Sequence, residues 1–322
     1  MRMRLHKCLP PLLLAWCLCS CVGSKDSVQR YRTSVDGFSP LTHRMLIASA
    51  VAGMGDVLIV YDLEAKSPVE GINDSIALDF GWLPGKDEFV LTYGNRLSRF
   101  RRIVGECGYA GTSIEAPLGV DYTFCAWSPG GTWLAVQCIN LRELSEPPHL
   151  GLYSVSQNRF VVTKVPYAGY QRCFWTDSET VWVPQSDSLL EVVVKSSNPE
   201  VRGKYLLPAG RVCVGVRNRE MITVDDSMVL RIGEKILAHI ERQDGFSVLV
   251  ARSFVCVATS LGILAAYDFE GHSLGTADVR ALIQSWAVDE NRNAVYGIAK
   301  EVIFVIELSE GGKLLVREKA RL

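Results

Sequence analysis

The sequence predicts an all-β chain built from repeated antiparallel units, and three observations carry that expectation. A motif of large apolar residue, spacer and turn-former recurs: Phe38-Ser39-Pro40, Trp82-Leu83-Pro84, Trp127-Ser128-Pro129, Trp175-Thr176-Asp177 and Val288-Asp289-Glu290. A short apolar run follows each copy, at 45–51, 89–93, 133–138, 181–184 and 294–299. Helical periodicity is nearly absent; the best candidate, 278–285, is one or two turns at most. Six steps lead from Phe38 to Val288, a period of about 42 residues, within the range of four-stranded propeller blades. The predicted fold is a single β-propeller. Seven four-stranded blades are expected, opening near residues 33, 75, 120, 170, 211, 246 and 283. The fifth and sixth copies are weaker: Val216 leads to 221–224 and Val250 to 254–258, with neither Trp nor Pro. Six blades and an irregular segment is the alternative count.

Residues 1–20 precede this pattern. Arg2, Arg4 and Lys7 stand before an apolar run at 9–18, and no acid appears before Asp26. This is a secretory signal, too short to span a bilayer permanently. Residues 21–32 are polar and read as a tether, which leaves 33–322 for the propeller. The end of the signal, Leu18-Cys19-Ser20-Cys21, resembles the lipobox of bacterial lipoproteins. That resemblance implies that Cys21 is acylated with diacylglycerol and becomes the mature N-terminus. Val22, rather than Asp, at the next position resembles lipoproteins sent to the outer membrane and facing the periplasm. The other reading is an ordinary signal peptide with incidental cysteines.

Without Arg2, Arg4 and Lys7 the chain keeps 31 basic against 35 acidic residues, a net charge of about −4 with no basic run. Nucleic-acid binding is not suggested, since phosphate neutralisation needs a basic face. Six cysteines remain beyond Cys21: Cys107, Cys125, Cys138, Cys173, Cys213 and Cys256. Export permits disulfides. Yet Cys125 and Cys173 hold the same place in successive repeats, and neighbouring sheets lie about 10 Å apart, beyond disulfide reach. Most are expected to be buried as small hydrophobes.

Within the propeller, the hairpin at 122–138 is the clearest unit, because Pro129 presets φ and Gly130-Gly131 accepts φ > 0 between two apolar runs. Apolar strands ending in polar turns return at 57–63, 151–155, 264–269 and 303–308, as the third strands of blades. The Trp/Phe-Ser-Pro turns and the Tyr61-Asp62 and Tyr267-Asp268 strands together resemble WD-type repeats, and more closely the propeller of the TolB translocation protein. No Gly-His…Trp-Asp pair is present. The resemblance implies a fold and leaves function open, because propellers host enzymes, scaffolds and ligand binders.

No nucleophile elbow, zinc-protease motif or phosphate-binding loop occurs, and no cofactor or metal site is read. His43, His149, His239 and His272 fall in separate repeats; Asp225-Asp226 and Asp289-Glu290-Asn291 read as turn residues. Arg96, Arg99, Arg101 and Arg102 surround Phe100. Charge on both faces suits an outermost strand protected from edge pairing; lipid phosphates are the other reading. The positions expected to line the axial channel, Ile76, Tyr122, Cys173, Val212 and Val248, form no acidic ring. That disfavours a metal-dependent propeller enzyme such as a lactonase or lyase. The expected function is a lipid-anchored, non-catalytic protein-interaction module; a propeller enzyme and a small-ligand sensor are the alternatives.

One rim stands out by loop length. Residues 105–117 are read as the link between repeats two and three, 140–149 as an insertion between two strands of repeat three, and 166–171 as the next link. These loops are expected to gather Tyr109, Arg142, Glu143, His149, Tyr167 and Tyr170 as a partner-binding surface, since Tyr and Arg are enriched at hot spots.

Overall fold

The computed structural model describes residues 30–33, 37–39, 41–51, 55–73, 79–103, 108–196, 198–240, 246–259, 262–281, 283, 285–289, 291–299 and 301–322. The signal, the Cys21 lipidation position and Cys107 lie outside the described residues. Twenty-eight strands form seven four-stranded antiparallel sheets, each a meander in chain order. The sheets are the blades of a seven-bladed β-propeller, at 30–73, 79–114, 120–166, 174–206, 211–239, 246–278 and 285–321. Among the described residues there is no helix. The six-blade alternative is excluded, because both weak repeats make complete sheets.

A sheet with two apolar faces must bury both, and the ring does this at seven interfaces. Each pair of neighbouring blades shares its own cluster of buried side chains. The smallest joins blades four and five, with only Trp182, Leu189 and Cys213 fully buried among the described residues. Blades seven and one close the ring without exchanging a strand. Phe38 stacks on Tyr296 at 4.5 Å, Tyr61 donates to the carbonyl of Arg321 at 2.7 Å, and Ser285 Oγ bonds both the N–H and the carbonyl of Thr33.

The recurring motif makes the same local structure each time. The residue after the large apolar one closes the first hairpin: Ser39, Leu83, Ser128 and Thr176 donate backbone N–H groups to the carbonyls of Arg44, Glu88, Trp133 and Thr180. Ser128 Oγ and the Asp177 carboxylate accept further turn N–H groups, which is why small polar residues suit these sites. The indoles stitch the blades together. Trp82 Nε1 donates to the carbonyl of Gly37 (3.0 Å), Trp127 to Gly81 (3.2 Å) and Trp175 to Ala126 (3.0 Å). Each acceptor immediately precedes the equivalent aromatic of the blade before. Gly131 closes the third of these turns at φ 63°, with the carbonyl of Pro84 where a Cβ would sit.

Four expectations need correction. The segment 278–285 is not helical: Asp278 ends an outer strand, its carboxylate caps the N–H of Arg280, and Arg280 adopts φ 51°. A strand at Arg30–Arg32 begins inside the span read as tether, and Tyr31 is buried between blades one and seven. Residues 105–117 are not all a link, because Tyr109–Ile114 is the outer strand of blade two. The Arg group lies on Arg96–Arg102, the third strand of that blade and not the outermost. Arg99 is only 3% exposed there, bonded to Glu88 at 2.7 Å and to Tyr153 of blade three at 3.2 Å. Glu88 also faces Arg101, Asp87 pairs with Arg102, and Arg96 lies over the Tyr93 ring. The arginines thus neutralise neighbours across packed strands rather than guard an edge.

The five described cysteines are buried and free. Burial pushes the Cys173, Cys213 and Cys256 thiols up to about 12 and raises that of Cys138.

Trp127→Ala is expected to lower the unfolding free energy by about 3–5 kcal/mol. Trp127→Phe, which keeps the ring but strands the Gly81 carbonyl, should lose about 1 kcal/mol. Denaturant melts of both variants check this; an unshifted midpoint for the alanine variant contradicts the stitch. A raised thiol pKa keeps the sulfur protonated until pH approaches it, so alkylation at about pH 8.5 should leave Cys138, Cys173, Cys213 and Cys256 unmodified in the native protein. Peptide mapping should find all four modified once guanidinium exposes them.

Candidate functional site

In each meander the innermost strand starts at one end of the ring and finishes at the other. The end where it starts also carries the turns between second and third strands; this is the link face. The opposite end, the hairpin face, carries the turns between first and second and between third and fourth strands.

Most of the expected rim residues are on the link face over blades three and four. Arg142 and Glu143 are exposed in the insertion after Trp133–Asn140, His149 is half-buried where the next strand begins, and Tyr170 is 75% exposed in the link to blade four. Two residues do not belong with them. Tyr109 opens the outer strand of blade two, which puts it at the hairpin face, and it is buried. Its hydroxyl donates to Asp87 at 2.8 Å and accepts from Arg44 at 2.9 Å; burial and the Asp87 carboxylate together raise the phenol's pKa. Tyr167 has no exposed surface. It packs between blades three and four and donates to the carbonyl of Gln171 at 2.8 Å, and burial raises its pKa far above the usual range. Both tyrosines are structural.

The structure adds residues that loop length did not single out. Leu118 is 85% exposed, Leu144 74% and Leu206 66%, with Leu141 and Val212 also exposed. All five lie in, or next to, loops of the link face between blades two and five. A partial signal was present in the sequence: Leu118, between Pro117 and Gly119, sits among turn-forming residues.

These loops are held in place. Leu141 N–H donates to the carbonyl of Gly119 (2.9 Å), and Tyr167 N–H to that of Pro148 (2.7 Å). Gln137, buried in the second strand of blade three, donates its amide to the carbonyls of Tyr167 (2.7 Å) and Gly169 (2.8 Å). Gly169 is required, since an added Cβ would fall 2.4 Å from that of Pro184. The exposed apolar residues therefore ride on a rigid frame, which limits the entropy lost on binding.

Toward the axis the channel positions also differ from expectation. Tyr122 and Cys173 are buried in interface cores instead; Val212 and Val248 stand on innermost strands, exposed and half-buried, and Ile76 lies outside the described residues. Among the charged groups near the axis, Asp79 of blade two and Arg172, from the link into blade four, form an ion pair across blade three. The other Asp79 oxygen accepts the N–H of Cys125 at 2.9 Å. This N–H lies in a β-bulge that holds Phe124 at φ 49°. The carboxylate is neutralised and serves to hold three blades in register. Asp225 and Asp289 likewise cap their own turns, through the N–H groups of Ser227 and Val229 and of Arg292. Among the described residues no three of His, Cys, Asp and Glu converge as a metal site.

No protein-family model matches the chain, and comparison with curated proteins returns no relative. Solved structures do match. A chain of the crystal structure of the mitotic checkpoint complex aligns at TM-score 0.51 and 10% identity, over 73% of this chain and 76% of that one. Raptor of Chaetomium thermophilum aligns at TM-score 0.60 and 9% identity, over 85% of this chain but only 28% of that longer one. The fold is a WD-type β-propeller. At such identities the likeness speaks to fold alone, and many functions share it.

Tyr170→Ala is expected to leave the melting temperature within about a degree of wild type, as for an exposed side chain. Tyr167→Ala should lower it by many degrees, because a buried aromatic and its hydrogen bond are lost. Differential scanning calorimetry separates the two, and equal melting temperatures would contradict this placement.

Proposed function

We propose that this chain is a lipid-anchored, non-catalytic protein-interaction module of the bacterial envelope, docking its partner on the link face of blades two to five. One observation carries the reading: Leu118, Leu141, Leu144 and Tyr170 stand exposed on loops of one end, and Leu206 and Val212 at the strand ends beside them. Clustered exposed apolar residues of this kind mark interaction sites. Arg142 and Glu143 give the patch a polar margin, in keeping with an apolar centre and a charged rim. A chain of the mitotic checkpoint complex that shares this fold at 10% identity is compatible with such a role.

The anchor has a geometric consequence. Arg30 begins the innermost strand of blade one and so lies at the link face. Only eight residues separate it from Cys21, and those nine Cα–Cα steps reach at most about 30 Å. With Cys21 acylated, the link face is held near the bilayer and its partner is another membrane-associated protein. Val22 supports the outer membrane, on its periplasmic side.

Two variants test the parts separately. Cys21→Ala should move the protein from the detergent phase to the aqueous phase, or leave it uncleaved, because stable anchoring takes two acyl chains or more. With the anchor intact, Leu118→Glu with Leu144→Glu should abolish partner capture in cross-linked cells without changing the melting temperature. A freely soluble wild type with a mature N-terminus other than Cys21 overturns the anchor. Capture that survives the double replacement overturns the surface.

A further inference from the structure

The series of indole stitches stops at blade four. Where blades two, three and four carry Trp82, Trp127 and Trp175, blades five and six carry Val216 and Val250. Blade seven carries Val288 there as well, so three successive indoles are missing at the hairpin face, and a cleft of about 410 Å³ lies beside the first two. Its lining comes from the first hairpins of blades three to six, so it sits where their inner strands converge. Trp175 forms one wall with its indole N–H already committed to Ala126, and Val216 and Val250 line the cleft.

The polar lining is one-signed. Arg217 and Arg252 contribute two guanidiniums, Asn218 an amide and Thr176 a hydroxyl, and among the described residues no carboxylate lines the cleft. Arg217 is fixed in position: Nη1 donates to the carbonyl of Arg252 at 2.5 Å, and the guanidinium lies 3.7 Å over the Phe269 ring. The turn that follows, Asn218-Arg219, holds both residues at positive φ (48° and 66°), and Arg219 is tied to the buried carboxylate of Glu191 in blade four. Arg217 and Asn218 also line a second hollow of about 200 Å³ toward Phe269, whose charged lining is mixed, with Glu220 and Glu270 beside Lys235.

We infer that this cleft is a second binding site, distinct from the link-face patch, and that its ligand is an extended acidic peptide. A carboxylate side chain sits against Arg217 and Arg252, whose planar donors suit it, and an apolar neighbour packs on Trp175. The cleft is open; the acid belongs at its Arg217–Arg252 part, and the adjoining hollow, where Glu220 and Glu270 stand, takes an uncharged neighbour of that acid. An extended chain fills that shape, whereas a small molecule is usually enclosed over most of its surface.

The test uses fluorescence anisotropy with the full mature protein and a rhodamine-labelled peptide, Gly-Phe-Glu-Glu-Phe-Gly, beside its Lys-Lys counterpart. The acidic peptide should bind and the basic one should not, with affinity falling as salt rises. Arg252→Gln, an exposed position, should weaken binding about tenfold. Val216→Trp restores the residue that three other blades carry, so it should fold normally, fill the cleft and abolish binding. The inference is overturned if neither peptide binds, or if both bind alike. It is equally overturned if free glutamate displaces the peptide at equal concentration, or if binding survives Val216→Trp in protein whose melting temperature is unchanged.

Discussion

The structure depends on the interface between neighbouring blades. A four-stranded sheet of this size cannot bury both of its faces, so each blade is stable only when flanked on two sides. The ring answers this with seven separate cores instead of one. At the hairpin end the indoles of Trp82, Trp127 and Trp175 add direction to that burial. Each N–H satisfies a carbonyl of the preceding blade that the packed interface has removed from water, and an unmet carbonyl there would be costly. Because the acceptor always immediately precedes the equivalent aromatic, the bond also sets how far one blade is rotated against the next.

The stitches do not run round the whole ring, and the break explains several otherwise unrelated features. Between blades four and five the apolar core is thinnest. Polar contacts take over: Arg219 pairs with the buried Glu191, which also accepts from Tyr205 at 2.9 Å, and Tyr205 stacks on Trp182 at 4.5 Å. Arg219 adopts positive φ, a conformation costly for a residue with a Cβ, within a two-residue turn that demands it. At the opposite side of the ring, Phe38 on Tyr296 and the Thr33–Ser285 bonds join the chain's two ends without a shared strand. The ring is thus continuous in packing but uneven in how it is held. Its least regular sector is the one with open space at the hairpin face.

The two ends of the ring have different characters. On the link face, long loops are fastened to the sheet by Gln137 and by backbone bonds at Gly119 and Pro148, so the apolar residues they carry are presented rather than tucked in. On the hairpin face the turns are short, and arginines dominate where indoles are absent. The ring thus presents exposed apolar side chains at one end and two cleft-lining arginines at the other.

Much of the fold was legible in the sequence, because the signals involved are local. Turn-formers after Phe38, Trp82, Trp127 and Trp175 fix hairpins within a few residues, and their spacing sets blade size. Even Val216 and Val250 could be placed, since the strand that follows each is apolar and short. The site was only partly legible. Tyr170, Arg142 and Glu143 stand on the exposed rim as loop length suggested, but Tyr167 and Tyr109 do not, although each lies within three residues of a Gly. Sequence by itself determined that this chain folds as repeated four-stranded units with long insertions at the third. Only the tertiary structure decided which side chains of those insertions face water and which ends of the strands meet. Burial at one position depends on what the neighbouring blade brings opposite it. For Tyr167 that is the core of blade four, for Tyr109 the Asp87–Arg44 pair, and for Val216 an empty place where an indole would otherwise lie.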